Sequence, residues 1–302
     1  MNLLVTGSNG FVAGSIIAQC NPQWKVHGIT RSAENINTRY YTHHQLDLTD
    51  KIGLAELMSA LKPDAVIHTA AMANIDVCEQ HPQQAFQVNE EITTHLAELC
   101  AGTGSKLIFC STDTVFDGTK GNYTETDIPH AVNIYARTKI NAEQAVVAAS
   151  GKNVVARLSL VMGLPVMGKG NSFLADMIRQ FKLGEKIKIP ENEIRTPIDV
   201  ITLGAALIEI ANSSISGIIH LAGNSVVTRY AMTKQIAATL GFAENLVIPT
   251  NSNALAGRAP RPNNASLDNT KARRLLSTPM LSLAEALELT INFKTKTNHE
   301  RY

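Results

Sequence analysis

The sequence holds little cysteine and no cysteine pairing pattern. Cys20, Cys78, Cys100 and Cys110 are the only four in 302 residues, and none belongs to a C-x-x-C pair. That spacing offers neither a disulfide framework nor a local zinc site, so buried free thiols are expected. Charge of one sign is lacking as well. Lys and Arg number 27 against 26 Asp and Glu, a formal net charge of +1, and the basic residues are scattered. Without a global field or a basic run, neither nucleic acid nor anionic lipid is an expected partner. No apolar run approaches the roughly 20 residues of a membrane span. The chain starts directly with the strand-like MNLLVTG rather than with a basic leader and a long apolar segment. A cytoplasmic protein with no membrane association is the expectation. His43-His44 and His68 have no acidic or sulfur partner at ligand spacing, and no dedicated carboxylate cluster is visible, so no metal is expected. Internal repeats and low-complexity tracts are absent too.

What is present is 44% apolar residues, enough for one large or two modest domains. Through the first half, short β-branched runs alternate with longer amphipathic stretches. Strands are expected at 3–6, 25–30, 65–69, 106–110 and 154–160, and helices from Phe11, near 54–61, through 85–100 and from Ile134. Strands separated by helices pair in parallel through right-handed crossovers. The expected fold is α/β, a doubly wound parallel Rossmann sheet, with residues 1–162 as the dinucleotide-binding domain. Beyond Gly163 the rhythm changes. A glycine-rich segment at 163–170, a helix near 173–181 and a short strand at 186–190 open a smaller C-terminal substrate-binding lobe, 163–302. From it, about 195–222 rejoins the Rossmann domain through a helix near 203–211 and a strand at 217–222. Most of 226–302 belongs to the lobe, as two or three helices and an irregular proline-bearing segment at 257–264. The polar tail 294–302 is expected to fray.

Directly after the first strand stands Thr6-Gly7-Ser8-Asn9-Gly10-Phe11-Val12-Ala13-Gly14. There Gly7 permits a tight turn and Gly10 lets the backbone approach a pyrophosphate held by the free N–H groups and dipole of the following helix. Ala13 or Gly14 serves as the third small position, for close helix–sheet packing. The turn, with Gly7, Asn9, Gly10, Phe11 and Val12, is a candidate nicotinamide-dinucleotide site. At the end of the second strand, where an NAD site carries an acid for the adenosine ribose, this chain has Thr30-Arg31-Ser32. A guanidinium beside a hydroxyl suits a 2′-phosphate, so NADP(H) is preferred, with NAD(H) the alternative. Asp47-Leu48 after the third strand would meet the adenine, and Ala70-Ala71 after the fourth would let the adenosine pass closely. Ordinary loop chemistry is the other reading of each pair.

The segment Asn133-Ile134-Tyr135-Ala136-Arg137-Thr138-Lys139 opens a helix, and a spacing of four puts Tyr135 and Lys139 on one face. A phenol, with an ordinary pKa of about 10, needs a neighbouring cation to exchange protons at neutral pH. Lys139 can supply it while also binding the nicotinamide ribose. A tyrosine–lysine pair alone is common. Upstream, however, a strand ends at Cys110-Ser111-Thr112-Asp113, where the Thr112 hydroxyl at the sheet's C-terminal edge can hydrogen-bond a substrate carbonyl. Order and spacing together make Thr112, Tyr135 and Lys139 the catalytic candidates.

The glycine turn, STDTVFDGTKGNYTETD and the NIYARTK helix together resemble the extended short-chain dehydrogenase/reductase family, most closely its dTDP-4-dehydrorhamnose reductase branch. The likeness covers nearly the whole chain. It continues in Ile194-Arg195-Thr196-Pro197 and in Arg258-Ala259-Pro260-Arg261-Pro262-Asn263-Asn264-Ala265-Ser266-Leu267-Asp268, running into Lys271. The resemblance implies an NAD(P)H-dependent reductase of a keto group on a nucleotide-activated sugar. Tyr135 would be the acid/base, Lys139 its cationic partner and ribose ligand, and Thr112 the hydroxyl that orients the carbonyl. Two positions depart from the family's pattern. Thr114 stands where a tyrosine is usual, and Ala136-Arg137 replaces a glycine and a small residue. Neither removes a proton-transferring group. Thr114 is expected to face substrate, which puts the identity of the sugar in doubt, and Arg137 to be solvated on the helix's outer face.

Asp113, Arg195, Arg258 and Arg261 are the substrate-binding candidates. Arg258 and Arg261 would clamp a pyrophosphate, or else cap helices in a solvated loop. Arg157 falls in a buried strand, where a charge needs a partner, and is expected to anchor the neighbouring loop. A nucleotide-sugar epimerase or dehydratase with tightly bound NAD is a second reading. Arg31 and the lack of an extra acid/base pair near Thr112-Asp113 weigh against it, while Asp113 keeps it open. The third is a non-catalytic NADP-binding regulatory subunit, since the branch includes the regulatory subunit of methionine adenosyltransferase. A small-molecule nucleotide sugar is the expected partner, and a homodimer is possible.

Overall fold

The run NLLVT is buried from its second residue onward, as a strand covered on both faces must be, and it forms β1 (Asn2–Thr6) inside a seven-stranded sheet. A computed structural model of the chain describes residues 1–33, 40–167, 170–252 and 257–299, with side chains as far as 293. After β1 come α1 (Phe11–Gln19), β2 (Lys25–Thr30), β3 (Thr42–Gln45), α2 (Lys51–Leu61), β4 (Ala65–His68), α3 (Ile75–Gln80) and α4 (Pro82–Phe86). A π-helical turn (Gln87–Glu91) leads into α5 (Ile92–Thr103), then β5 (Lys106–Thr112), α6 (Ile134–Ala149) and β6 (Val154–Leu158). The chain continues through β7 (Val161–Met162), α7 (Phe173–Lys182), β8 (Ile187–Pro190), β9 (Ile194–Arg195), β10 (Ile198–Asp199), α8 (Val200–Ala211) and β11 (Gly217–Leu221). It closes with β12 (Val227–Thr228), α9 (Arg229–Thr239), β13 (Val247–Thr250), α10 (Thr270–Leu275) and α11 (Leu283–His299).

The main sheet runs β11-β6-β5-β4-β1-β2-β3, and every pairing in it is parallel. This is the doubly wound α/β Rossmann arrangement expected from the alternation. Strand order reverses between β1 and β4, and the crevice beyond the strand ends at such a point is where these sheets bind ligands. Side chains alternate along β1. Leu3 and Val5 pack with Ile16, Ile17, Leu203 and Leu207 of α1 and α8. Leu4 packs on the other face with Leu54, Met58 and Leu96 of α2 and α5. Away from the sheet, β8 and β13 pair in parallel and, with α7 and α9, enclose Met177, Phe181, Ile187, Ile189, Ala237 and Val247. Among the described residues no helix is long and apolar enough to cross a membrane.

Several elements differ from the sequence reading, among them the strand β13, which falls where only helices and an irregular segment were expected. The helix expected over 85–100 is interrupted by the π turn, where Asn89 occupies a position of the apolar stripe formed by Ala85, Ile92 and Leu96. Its amide is spent on the backbone of Met72 rather than on solvent. The short α3 was not foreseen; the Asn74 side chain caps it, accepting from the N–H groups of Asp76 and Val77. The tail expected to fray from 294 instead continues α11 to His299. Residues 300–302, and 168–169 of the glycine-rich segment, lie outside the described residues.

Candidate active site

β1 ends at Thr6, and Gly7 turns the chain with φ at +69°, in the left-handed region. A Cβ at residue 7 would stand 3.1 Å from Ala70 Cα, so the turn approaches the end of β4 only because that side chain is missing. The Gly10 N–H donates to Gly7 O at 2.7 Å, and Gly10 begins α1 with no side-chain cap. The first-turn amides of α1 are left for other acceptors. The two positions proposed for close packing both serve it, on different neighbours. Ala13 is wholly buried against the sheet, while a Cβ on Gly14 would meet Met167 O at 3.0 Å.

A cavity of about 690 Å³ opens at this point, within the size range of a ligand pocket. Gly7, Asn9, Gly10, Arg31, Asp47, Leu48, Ala70 and Ala71 all line it, so four separate strand ends bring the predicted residues to one space. Phe11 and Val12 do not line it. Val12 packs on the core beneath α1, and Phe11 lies against Gly170. Asp47 Oδ1 accepts from the Thr49 N–H at 3.0 Å and from its hydroxyl at 2.8 Å. Those bonds hold its carboxyl below the usual range.

α6 starts where the Asn133 side chain accepts from the Ala136 N–H at 2.8 Å and donates to Pro260 O at 2.8 Å. The proline-bearing loop is thereby tied to the start of the helix. Tyr135, Lys139 and Glu143 follow one above the other on its buried face. Lys139 Nζ lies 4.3 Å from the Phe109 ring centroid. Burial pulls its pKa down to about 8, opposed by Cys110, Glu143 and Cys78. The phenol of Tyr135 was expected to be lowered by this lysine. Instead it is raised, by burial first and the Asp113 carboxylate second, with the neighbouring Thr112 hydroxyl opposing. That expectation is corrected, and the reason is desolvation of a nine-tenths buried phenol, with the Asp113 carboxylate adding to it.

Thr112 therefore stands against both Tyr135 and Asp113. Its hydroxyl donates to Asp113 Oδ1 at 3.2 Å and accepts from the Thr114 N–H at 3.1 Å. Thr114 is itself buried, with its hydroxyl 3.0 Å from that of Thr112. Arg137 is exposed on the outer face, as anticipated. Burial pushes the Asp113 carboxyl up, with Arg195 and Thr112 pulling the other way.

The substrate candidates do not converge as one clamp. Arg261 holds Asp76 of α3 in a two-pronged pair, at 2.6 and 2.7 Å. Arg258 instead meets Glu193 at 2.9 Å, joined there by Arg229 at 3.5 Å and Arg195 at 3.8 Å. Arg195 also reaches Asp113 at 3.5 Å. Burial pushes the Glu193 carboxyl up, but Arg229, Arg195 and Arg258 outweigh it and hold it below the usual range. Arg258 and Arg261 thus each hold a different carboxylate, and Arg258 shares its own with two further guanidinium groups. Arg157 anchors no loop. It pairs with Glu143 on α6.

Sequence reasoning missed Asn89, Glu143, Glu193, Arg229 and Asp76. Asn89 carried a legible signal, a polar residue on an apolar stripe, and so did Glu143, four residues beyond Lys139. Glu193, Arg229 and Asp76 carried none, since their partners lie far off in the chain. Among the described residues no group of three or more His, Cys, Asp or Glu is placed to hold a metal ion.

The chain is similar to known proteins in sequence and in fold. The chain is 29% identical over 291 residues to the dTDP-4-dehydrorhamnose reductase of Mycobacterium tuberculosis (strain CDC 1551 / Oshkosh), covering 94% of this chain and 90% of that one. It is also 29% identical over 278 residues to methionine adenosyltransferase 2 subunit beta of Xenopus laevis, covering 90% and 81%. Its fold matches the crystal structure of dTDP-4-dehydrorhamnose reductase from Bacillus anthracis in complex with NADP, with a TM-score of 0.86 at 24% identity, over 96% of this chain and 98% of that one. Residues 1–295 match the family described as RmlD substrate binding domain. With the match spanning the main sheet, the glycine turn and α6 alike, the chain belongs to the RmlD substrate binding domain family.

Proposed function

We propose that this protein is an NADP(H)-dependent reductase of a ketone on a nucleotide-activated sugar. The observation that carries the reading is the placement of buried Tyr135 and Lys139 on one face of α6 beside Thr112 at the end of β5. The cavity fits the cofactor on its own terms: Gly7 leaves room that a Cβ would fill, and Arg31 lines the same space. Bound NADPH would supply a hydride to the ketone carbon. Tyr135 would donate to the carbonyl oxygen, as would Thr112 once its hydroxyl proton turns from Asp113 to the substrate. As negative charge grows there, Tyr135 Oη gives up its proton, leaving an alcohol and a phenolate that the Lys139 ammonium stabilises. A phenol whose pKa is raised stays protonated until that moment, which suits a donor.

In this reading residues 1–162, with about 195–222, form the cofactor domain, and the rest of 163–302 holds the sugar. Four free thiols, three of them buried, suit a reducing cytoplasm. Likeness to a reductase supports catalysis. Equal identity to methionine adenosyltransferase 2 subunit beta favours a second reading, a cofactor-binding subunit that does no chemistry. The test is oxidation of NADPH, then NADH, against a panel of 4-keto nucleotide sugars, with Tyr135→Phe as control. Turnover faster with NADPH and lost in the variant is expected. Cofactor binding with no turnover on any sugar would transfer the assignment to the second reading.

A further inference from the structure

His68 ends β4 and is 1% exposed, yet nothing in the proposed chemistry uses it. Its Nδ1 lies 2.7 Å from the Thr6 hydroxyl and its Nε2 3.1 Å from the Thr93 hydroxyl. The neighbours decide its tautomer. Thr93 gives its one hydroxyl proton to Asn89 O at 2.7 Å, so toward the imidazole it can only accept, and Nε2 carries the hydrogen. A neutral ring then leaves Nδ1 bare, to accept from Thr6. Thr6 Oγ1 accepts in turn from the Ala70 N–H at 3.2 Å, beside the glycine turn.

In the other direction the chain of bonds reaches the acid/base helix. The Asn89 side chain donates to Thr138 Oγ1 at 3.2 Å, and the Thr138 hydroxyl donates to Tyr135 O at 2.8 Å. A second route runs through ring contacts. His68 stacks on Phe109, with centroids 5.9 Å apart, and the Phe109 ring carries Lys139 Nζ. Burial keeps the imidazole neutral, as it must be with a lysine ammonium this close.

We propose that His68 is a positioning residue that fixes the acid/base helix relative to the glycine turn. The inference rests on the cofactor reading of that turn. Two substitutions separate its bonds: His68→Asn keeps an acceptor for Thr6 and drops the donor to Thr93, whereas His68→Phe keeps the stack and drops both. The readouts are ¹⁵N-imidazole NMR of the wild type, NADPH titration by fluorescence, and kcat and KM for the keto sugar. The wild type should show the Nε2–H tautomer between about pH 5 and 8. His68→Phe should weaken NADPH binding about tenfold and lower kcat. His68→Asn should bind NADPH within about twofold of wild type while kcat stays low at unchanged KM. A purely structural role would move binding and kcat together with melting temperature. An Nδ1–H tautomer or an imidazolium at neutral pH overturns the proposal, as does wild-type NADPH affinity in folded His68→Phe. If that variant does not fold, wild-type kcat in His68→Asn overturns it instead. The NMR and binding measurements need no turnover, so they still decide the point if no keto sugar is reduced, a result that removes the reductase reading alone.

Discussion

Glu143 on α6 and Arg157 on β6 lock together between helix and sheet: Arg157 Nε donates to both carboxylate oxygens at 3.0 and 3.1 Å, and Nη2 donates at 2.7 Å. The Ser111 hydroxyl adds a further bond to the same carboxylate. Removing one partner strands a buried charge, so Arg157→Met or Glu143→Met should each cost about 3–5 kcal/mol in urea unfolding. The double variant should recover much of that loss. If it costs as much as the two singles summed, the two residues do not act as a pair.

His220 sets an acid limit. Burial, then Arg157, lowers its pKa to about 3. Because the folded value lies below the unfolded one, its stabilisation is complete above about pH 6.5 and lost as pH falls toward 3, at up to about 1.4 kcal/mol per unit. Buried His68, also at about 3, has the same sign. Stability measured between about pH 6 and 4 should fall less steeply in His220→Gln, by close to one proton. An unchanged slope would show that His220 protonates in the folded state.

Arg31 lines the cavity next to Thr30. Arg31→Ala should weaken NADPH about tenfold and leave NADH nearly untouched, as binding titrations with each cofactor would read. Equal losses for both would mean the guanidinium is only a solvated charge.

Gly7→Ala forces a side chain into the left-handed region and toward Ala70. The strain should cost about 1–2 kcal/mol in thermal unfolding and lower NADPH affinity by more than the stability loss alone predicts. Calorimetric titration that finds wild-type affinity would place the cofactor phosphates elsewhere.

The fold was legible wherever local pattern and global packing agree. Wholly buried β5 and the glycine turn before α1 read plainly, because parallel strands are apolar runs and tight turns need glycine. The convergence of Arg31, Asp47 and Ala70 was foreseeable too, since a doubly wound sheet brings its strand ends to one edge. The pairing of charges was not. Arg261 meets Asp76 across 185 positions, and Arg258 meets Glu193 across 65. No local spacing encodes such partners. The direction of the Tyr135 shift failed for a related reason, since helix spacing reports which residues share a face and says nothing about how dry that face is.

The seventh strand of the main sheet, β11, arrives only at Gly217, although its neighbour β6 ends at Leu158. On the ribosome this delay has a cost. A nascent chain that has reached residue 162 presents β6 with an unpaired edge, and the sheet face later covered by Leu203, Leu207 and Ile210 stands open. At common elongation speeds the remaining stretch of about 60 residues takes about 3–12 seconds to emerge. For that interval the first half would carry an open strand edge and an uncovered apolar face together, the two features that make a partly folded chain prone to aggregate.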